Sequence, residues 1–516
     1  MTRALAPLFV SILLAAGVPA ASAAPKHTVE NETVTSEDGT KIAISIFKPA
    51  GAGASSKVPV ILHSHGWGGS RATTIDAVKP FLNAGFGVIS IDQRGHGESE
   101  GQAHVQDPER ETEDVKAVID RAAELTWVLH NTRSDGDAIA DDPVLGAIGG
   151  SYGGGYQTMT ALDEIADEGR TRFDAIAPEI TWYDLPESLA PQKVARSVWT
   201  ALLYAVGAAN VPQFIHEGFA WGSTTGQWPD GTFYGQPVPG APDLDSVFHE
   251  HSPVAFVEKG IRINVPVLLR QGISDNLFNL NQGLKIFDKA VTDGARDQSY
   301  FIGYNGGHAL PNAVPVGTSA GSDACSPDGF TRLTIDFFTR VFAGRSTEGL
   351  LPHRYNFTTA DGEQCLSTDQ VDTSKPIGVE LQGSKTFAVT VGAGAPIHVP
   401  IAAGPVTVAG IPTLKGKVTS TGLDGRAFFG LAIGSTPADA QVIQNNLMPL
   451  RQLMPAMDQR FAIELAGVAA EVPEGQSLFL TISPVSDMYA GHGSRVPAAL
   501  VLDGLTVTLQ GSNGKT

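Results

Sequence analysis

From about residue 30 to 345, short apolar runs rich in β-branched residues alternate with stretches of helical pattern, and few architectures accept that rhythm. The runs fall at 58–63, 87–92, 144–149, 173–177, 265–271 and 299–303, and helices are predicted over 111–130, 153–168, 281–292 and 329–342. A strand covered on both faces reads as a nearly continuous apolar run, and parallel neighbours need a crossover that a helix supplies. The pattern therefore predicts a mostly parallel sheet with helices on both faces, opened by a hairpin at 28–35 and 41–47 around Asp38-Gly39.

Residues 179–260 break the rhythm, separating two strand runs by far more than an ordinary connection. They hold four of the six tryptophans, Trp182, Trp199, Trp221 and Trp228. A cap over the carboxyl edge of the sheet is expected there, with these four rings in its substrate pocket. Beyond residue 375 the apolar runs become short, alternating and separated by Gly, Pro, Asp and Asn. That spacing predicts an all-β, jelly-roll-like sandwich over 376–516, joined to the catalytic domain at 28–345 by a connection at 346–375.

The first 23 residues read as a cleavable secretory signal. Arg3 supplies the positive end, Leu8 to Val18 the apolar stretch and Ala21-Ser22-Ala23 the small-x-small site, with cleavage after Ala23. No later run is long enough to span a bilayer, so a secreted protein without a membrane partner is expected. The two cysteines, Cys325 and Cys365, fit that address as one disulfide. A net charge of −19 argues against nucleic acid as a partner, which needs a basic face.

The chemistry concentrates at strand ends. Gly149-Gly150-Ser151-Tyr152-Gly153 is a G-x-S-x-G turn between a strand run and a helical pattern. So sharp a turn needs glycine two residues either side, lifts the serine hydroxyl above the sheet edge, and sets the Tyr152 amide at a helix N-terminus, where it can hold an oxyanion. Asp275 follows the run at 265–271, and His308 follows the run at 299–303. Nucleophile, acid and base in that order, each at a strand's carboxyl end, form the triad order of α/β-hydrolases. His65-Gly66-Trp67-Gly68 follows the first central strand and offers a second oxyanion amide at Trp67, with Gly66 or Gly68 adjacent. Asp92-Gln93-Arg94-Gly95-His96-Gly97-Glu98-Ser99 reads as a structural turn. His249-Glu250-His251 lacks a third ligand, and Asp135, Asp137, Asp141 and Asp142 lack calcium-loop spacing, so both read as solvated loop groups. No cofactor or metal is implied.

The elbow, the acid in Gly272-Ile273-Ser274-Asp275, the aromatic cap and the β tail resemble the X-prolyl dipeptidyl-peptidase and cocaine-esterase family of serine hydrolases. The resemblance implies an α/β-hydrolase fold with a jelly-roll domain and an activity that cleaves esters or releases dipeptides ending in proline, the substrate being a small molecule or a peptide. By it Ser151 is nucleophile, Asp275 the orienting acid, His308 the base and Tyr152 an oxyanion donor. The family commonly takes its second oxyanion contact from a tyrosine hydroxyl, where this chain has Trp67. Glu179 and Asp184 are candidates for the carboxylate that would anchor a substrate amine. A secreted serine hydrolase of esters or amides is the expected function. The alternatives are an X-prolyl dipeptidyl-peptidase and, from another class, an inactive surface- or polymer-binding protein.

Overall fold

The computed structural model describes residues 26–308, 321–371, 377–380, 385–389 and 394–509. The expected signal segment, residues 1–23, lies outside them. Ten strands form one large sheet: β1 (Thr28–Thr35), β2 (Lys41–Lys48), β3 (Val60–Ser64), β4 (Gly87–Ile91), β5 (Leu145–Gly150), β6 (Ala175–Glu179), β7 (Leu268–Gly272), β8 (Tyr300–Tyr304), β9 (Tyr355–Thr358) and β10 (Cys365–Thr368). Their spatial order is β1-β2-β4-β3-β5-β6-β7-β8-β9-β10. Strands β3 to β9 run parallel, while β1, β2 and β10 are antiparallel additions at the edges.

Alternation along each strand feeds two cores. Val60 and Leu62 of β3 join the helices Glu111–Ala123 and Tyr152–Glu168 on one face. Ile61 between them joins the helices Ile75–Asn83 and Phe330–Phe342 on the other. Each fully buried Leu, Ile or Phe contributes about 1.5–3 kcal/mol, so the sheet is held from both sides.

Several sequence expectations change. The helix expected over 111–130 ends at Ala123, because the chain beyond it pairs with Val58: the Val58 amide bonds to Trp127 and the Leu129 amide bonds back to Val58. The helix Ile75–Asn83 was not anticipated. Residues 346–375, read as a connection, instead carry β9 and β10 of the main sheet. Cys325 and Cys365 form the expected disulfide, tying β10 to the segment that follows the β8 loop.

Between β6 and β7 the chain forms a cap whose main helices are Ser197–Gly207, Gln213–Thr225 and Leu244–Glu250. The C-terminal part is built of two larger antiparallel sheets and a two-stranded antiparallel pair, Val406–Gly410 with Val468–Val472. One larger sheet has Ala498–Leu509 and Thr413–Ser420 at its centre, the other Gly425–Gly434 and Ser477–Ser483. Leu414, Val418, Phe429, Leu431, Leu480 and Leu502 close a common core between them. The expected run at 379–391 lies partly outside the described residues. The sandwich leans on the catalytic half: Asn281 donates to the Leu465 carbonyl at 3.0 Å and accepts from the Gly467 amide at 2.7 Å.

Candidate active site

The β5 turn folds as it does because its glycines leave no alternative. A Cβ on Gly153 would lie 2.5 Å from the Ser64 carbonyl oxygen, and one on Gly149 would lie 2.7 Å from the same atom. Between them Ser151 holds φ 59° and ψ −122°, a strained conformation for a side-chain-bearing residue and one that points its hydroxyl away from the sheet. Its amide is anchored to the Glu179 carbonyl at 3.0 Å. The helix begins at Tyr152, so that amide heads a helix N-terminus.

The structure brings the three predicted groups together. His308 Nε2 lies 2.9 Å from Ser151 Oγ, and His308 Nδ1 lies 2.7 Å from Asp275 Oδ2. A carboxylate only accepts, so Nδ1 carries the proton and Nε2 is left to accept from the serine. Asp275 is fully buried and saturated. The His308 amide also meets Oδ2 at 3.0 Å, while the Leu277 and Phe278 amides meet Oδ1 at 2.9 and 2.7 Å. The imidazole is wedged edge-to-face between Phe278 and Trp199, at ring distances of 5.2 and 5.9 Å. Such an arrangement can take a proton from Ser151 and hold the resulting imidazolium in place.

Gly66 lies against the nucleophile, a Cβ there falling 3.6 Å from Ser151 Cβ, so the backbone at Gly66 passes beside Ser151. The Trp67 indole is committed elsewhere: Nε1 donates to the Leu203 carbonyl of the cap at 2.9 Å, and the ring packs edge-on to Tyr152 at 5.1 Å.

Ser151 opens onto a cavity of about 280 Å³. Its walls are aromatic and aliphatic, with Trp67, Trp182, Trp228, Phe248, Phe278 and Ile215 prominent, and among the described residues no Asp, Glu, Lys or Arg lines it. Of the four tryptophans expected in the pocket, Trp182 and Trp228 line it. Trp199 and Trp221 do not, which corrects that expectation. Trp199 turns its Nε1 to Asn276 Oδ1 at 2.9 Å behind the site, and Trp221 packs on Phe233.

The other charged candidates are spent on structure. Glu179 is ion-paired with Arg270 at 2.9 Å, and Asp184 caps the helix Leu185–Leu189 by accepting from the Glu187 amide at 3.0 Å. His249 pairs with Glu258, whereas the buried His251 bonds to the His104 carbonyl, so the two do not converge. Asp142 accepts from Asn131 and Arg170. Glu113, Asp163 and Asp167 lie close enough to share a cation, yet Lys116 sits among them at 2.6–3.0 Å. Arg94 of the D-x-R-G-x-G-x-S turn is clamped by Asp114. Behind Trp67, burial pulls His96 down to about 4, leaving a neutral ring. The Leu277-Phe278 amides and the Asn276 carbonyl were not foreseen as acid-loop anchors; a run of polar and aromatic residues directly after Asp275 is the only local hint.

Known proteins share sequence or fold with this chain. Residues 38–309, just over half of the chain, match the family described as X-Pro dipeptidyl-peptidase (S15 family). A CocE/NonD family hydrolase from Staphylococcus aureus shares the fold, with a TM-score of 0.66 and 13% identity over 96% of this chain and 98% of that one. A non-heme chloroperoxidase from Streptomyces lividans is 28% identical over 48% of this chain and 82% of its own length. A bifunctional esterase/perhydrolase from Acinetobacter calcoaceticus is 26% identical over 47% and 82%. The chain belongs to the X-Pro dipeptidyl-peptidase (S15) family of the α/β-hydrolase superfamily and is a hydrolase.

Proposed function

We propose that this protein is a serine carboxylesterase for neutral substrates with an apolar acyl or alcohol group. The observation that carries the reading is the Ser151–His308–Asp275 hydrogen-bond chain opening onto an apolar cavity. His308 Nε2 takes the Ser151 proton as Oγ attacks the ester carbonyl. The oxyanion accepts from the Tyr152 and Trp67 amides. Collapse expels the alcohol, which leaves with the proton from His308, and a water activated by the same imidazole then hydrolyses the acyl-enzyme. An exopeptidase of the kind the family name describes must also bind a free amine. Burying an ammonium without a carboxylate partner is costly, and Glu179 and Asp184 are already engaged.

The same reading takes the catalytic domain, expected over 28–345, on to Thr368 so as to include β9 and β10, with its cap at 179–260, and takes 376–516 as the sandwich. It also takes residues 1–23 as a cleaved signal and the site of action as extracytoplasmic, in keeping with the disulfide. The test is turnover of p-nitrophenyl butyrate, octanoate and benzoate beside alanyl-prolyl and glycyl-prolyl anilides, for wild type and Ser151→Ala. Ester turnover that disappears in Ser151→Ala, with the anilides untouched, is the expected result. Anilide turnover at comparable kcat/KM overturns the substrate assignment, and an active Ser151→Ala overturns the mechanism.

A further inference from the structure

The two loops that carry the acid and the base are touched by a third element, and it comes from the sandwich. Residues Ile443–Asn445 form a single tight turn, in which Gln444 and Asn445 hold φ of 53° and 46°, strained for residues with side chains. Gln444 and Asn446 are both buried, each about 4% exposed. Asn446 Nδ2 donates to the main-chain carbonyl of Asp275 at 3.0 Å. Gln444 Nε2 donates to Asn305 Oδ1 at 3.3 Å, and Asn305 stands three residues before His308 in the same loop. Asn305 is itself fully buried and fixed by its Nδ2 to the Thr359 carbonyl at 2.7 Å. One turn therefore grips the acid loop with one side chain and the base loop with the other.

The polar choice at 446 is not what packing alone would select. Asn446 Oδ1 is buried with no hydrogen-bond partner among the described residues, a cost that a leucine would not carry; what a leucine would give up is the donor to the Asp275 carbonyl. The amide is worth keeping if its other end does something. The loops already meet through the Asn276 amide and the His308 carbonyl at 3.2 Å, and the cap adds Arg196 Nη1 to the Asn276 carbonyl at 2.7 Å. Gln444 and Asn446 contribute the side of the cradle that neither the sheet nor the cap supplies.

We propose that Gln444 and Asn446 are positioning residues that fix the spacing of the Asp275 and His308 loops, making the sandwich a working part of the catalytic site. This rests on the catalytic reading of Ser151, Asp275 and His308. A shift of about 1 Å in a reacting group lowers rate by about 100-fold, whereas an apolar cavity walled mostly by residues 182–248 goes on binding substrate. The signature is a loss in kcat without a matching change in KM.

The experiment uses the full-length protein and p-nitrophenyl butyrate, with active sites counted by exhaustive fluorophosphonate labelling. The variants are Asn446→Leu, Gln444→Ala, Ser151→Ala and Val418→Ala, the last a truncation in the sandwich core. Asn446→Leu is expected to lower kcat per labelled site about 10- to 100-fold with KM within about twofold, and Gln444→Ala to lower it about 3- to 10-fold. Val418→Ala should melt earlier yet keep its kcat. If both turn variants keep kcat per site within twofold, the proposal is overturned, and Gln444→Ala alone decides it should Asn446→Leu not fold. An active Ser151→Ala would bring down the catalytic reading itself, whereas an inert Ser151→Ala beside unchanged turn variants would remove only the role of the turn.

Discussion

Gly153→Ala tests the elbow with one carbon atom. Gly153 sits in the first turn of the helix that begins at Tyr152, and alanine is the better helix former, so propensity alone predicts a gain of about 1 kcal/mol. The surroundings predict the opposite. The added Cβ would stand 2.5 Å from the Ser64 carbonyl oxygen and 3.0 Å from that of His65, where ordinary contacts begin at 3.4 Å. Both atoms are backbone at the end of β3, so relief requires the helix start to withdraw by about 0.9 Å, the gap between 2.5 and 3.4 Å. Overpacking of this kind costs about 1–3 kcal/mol of stability. Withdrawal also drags Ser151 from His308 and the Tyr152 amide from the oxyanion position, for which about 100-fold in kcat/KM is expected. The assay is ester kcat/KM with thermal melting, beside Gly294→Ala, where a Cβ meets nothing within 4 Å. Gly294→Ala should match wild type in activity and melt no earlier. A Gly153→Ala enzyme within threefold of wild type would refute the claim that close approach, and not turn flexibility, dictates glycine there.

Three other perturbations follow from the same structure. Ile215 lines the cavity, so Ile215→Asp should raise KM for octanoate esters at least about tenfold while leaving acetate esters nearly unchanged; equal effects on both would remove Ile215 from the substrate wall. Burial holds the Glu111 carboxyl at about 8 against an ordinary 4.5, so the folded protein binds that proton more tightly. The associated stability is full below 4.5 and is lost as pH rises through about 8. Melting temperature should therefore fall between pH 5 and pH 8, and Glu111→Gln should flatten that fall; parallel curves would disprove it. Replacing Cys325 and Cys365 by alanine opens a 40-residue loop, and urea unfolding should report a loss of about 3–4 kcal/mol that reducing agent reproduces in wild type.

What the sequence discloses about such a site depends on how locally each feature is determined. Ser151, Asp275 and His308 are legible because each is encoded within about ten residues: an apolar run, a glycine turn, then the reactive side chain. The pocket wall is not. Trp199 and Trp221 share the cap with Trp182 and Trp228, but which rings turn inward depends on how separate helices cross, and Trp199 was drawn behind the site by Asn276. Strand pairing hides in the same way. Residues 125–129 carry a helical pattern, yet they leave the helix because Val58 offers them backbone partners. Strands β9 and β10 look like linker because each is only four residues long and is interrupted by polar residues, Asn356 and Thr358 in one, Ser367 and Thr368 in the other.

The same argument explains why the sandwich tail gave no sign of a catalytic task. Gln444, Asn445 and Asn446 read as an ordinary polar turn, and their number in the chain is more than 130 beyond His308. Two features of the fold separate them from an ordinary turn: burial, and contact with two loops at once. A surface turn can lose its polar side chains with little consequence, because water replaces each hydrogen bond. A buried turn cannot, since removing one partner strands the other in a medium that offers no substitute. The stranded group in Asn446→Leu would be the Asp275 carbonyl, one residue's backbone away from the carboxylate that orients His308. The physics that makes a polar residue expensive inside the domain contact is thus the physics that makes its substitution readable in kcat.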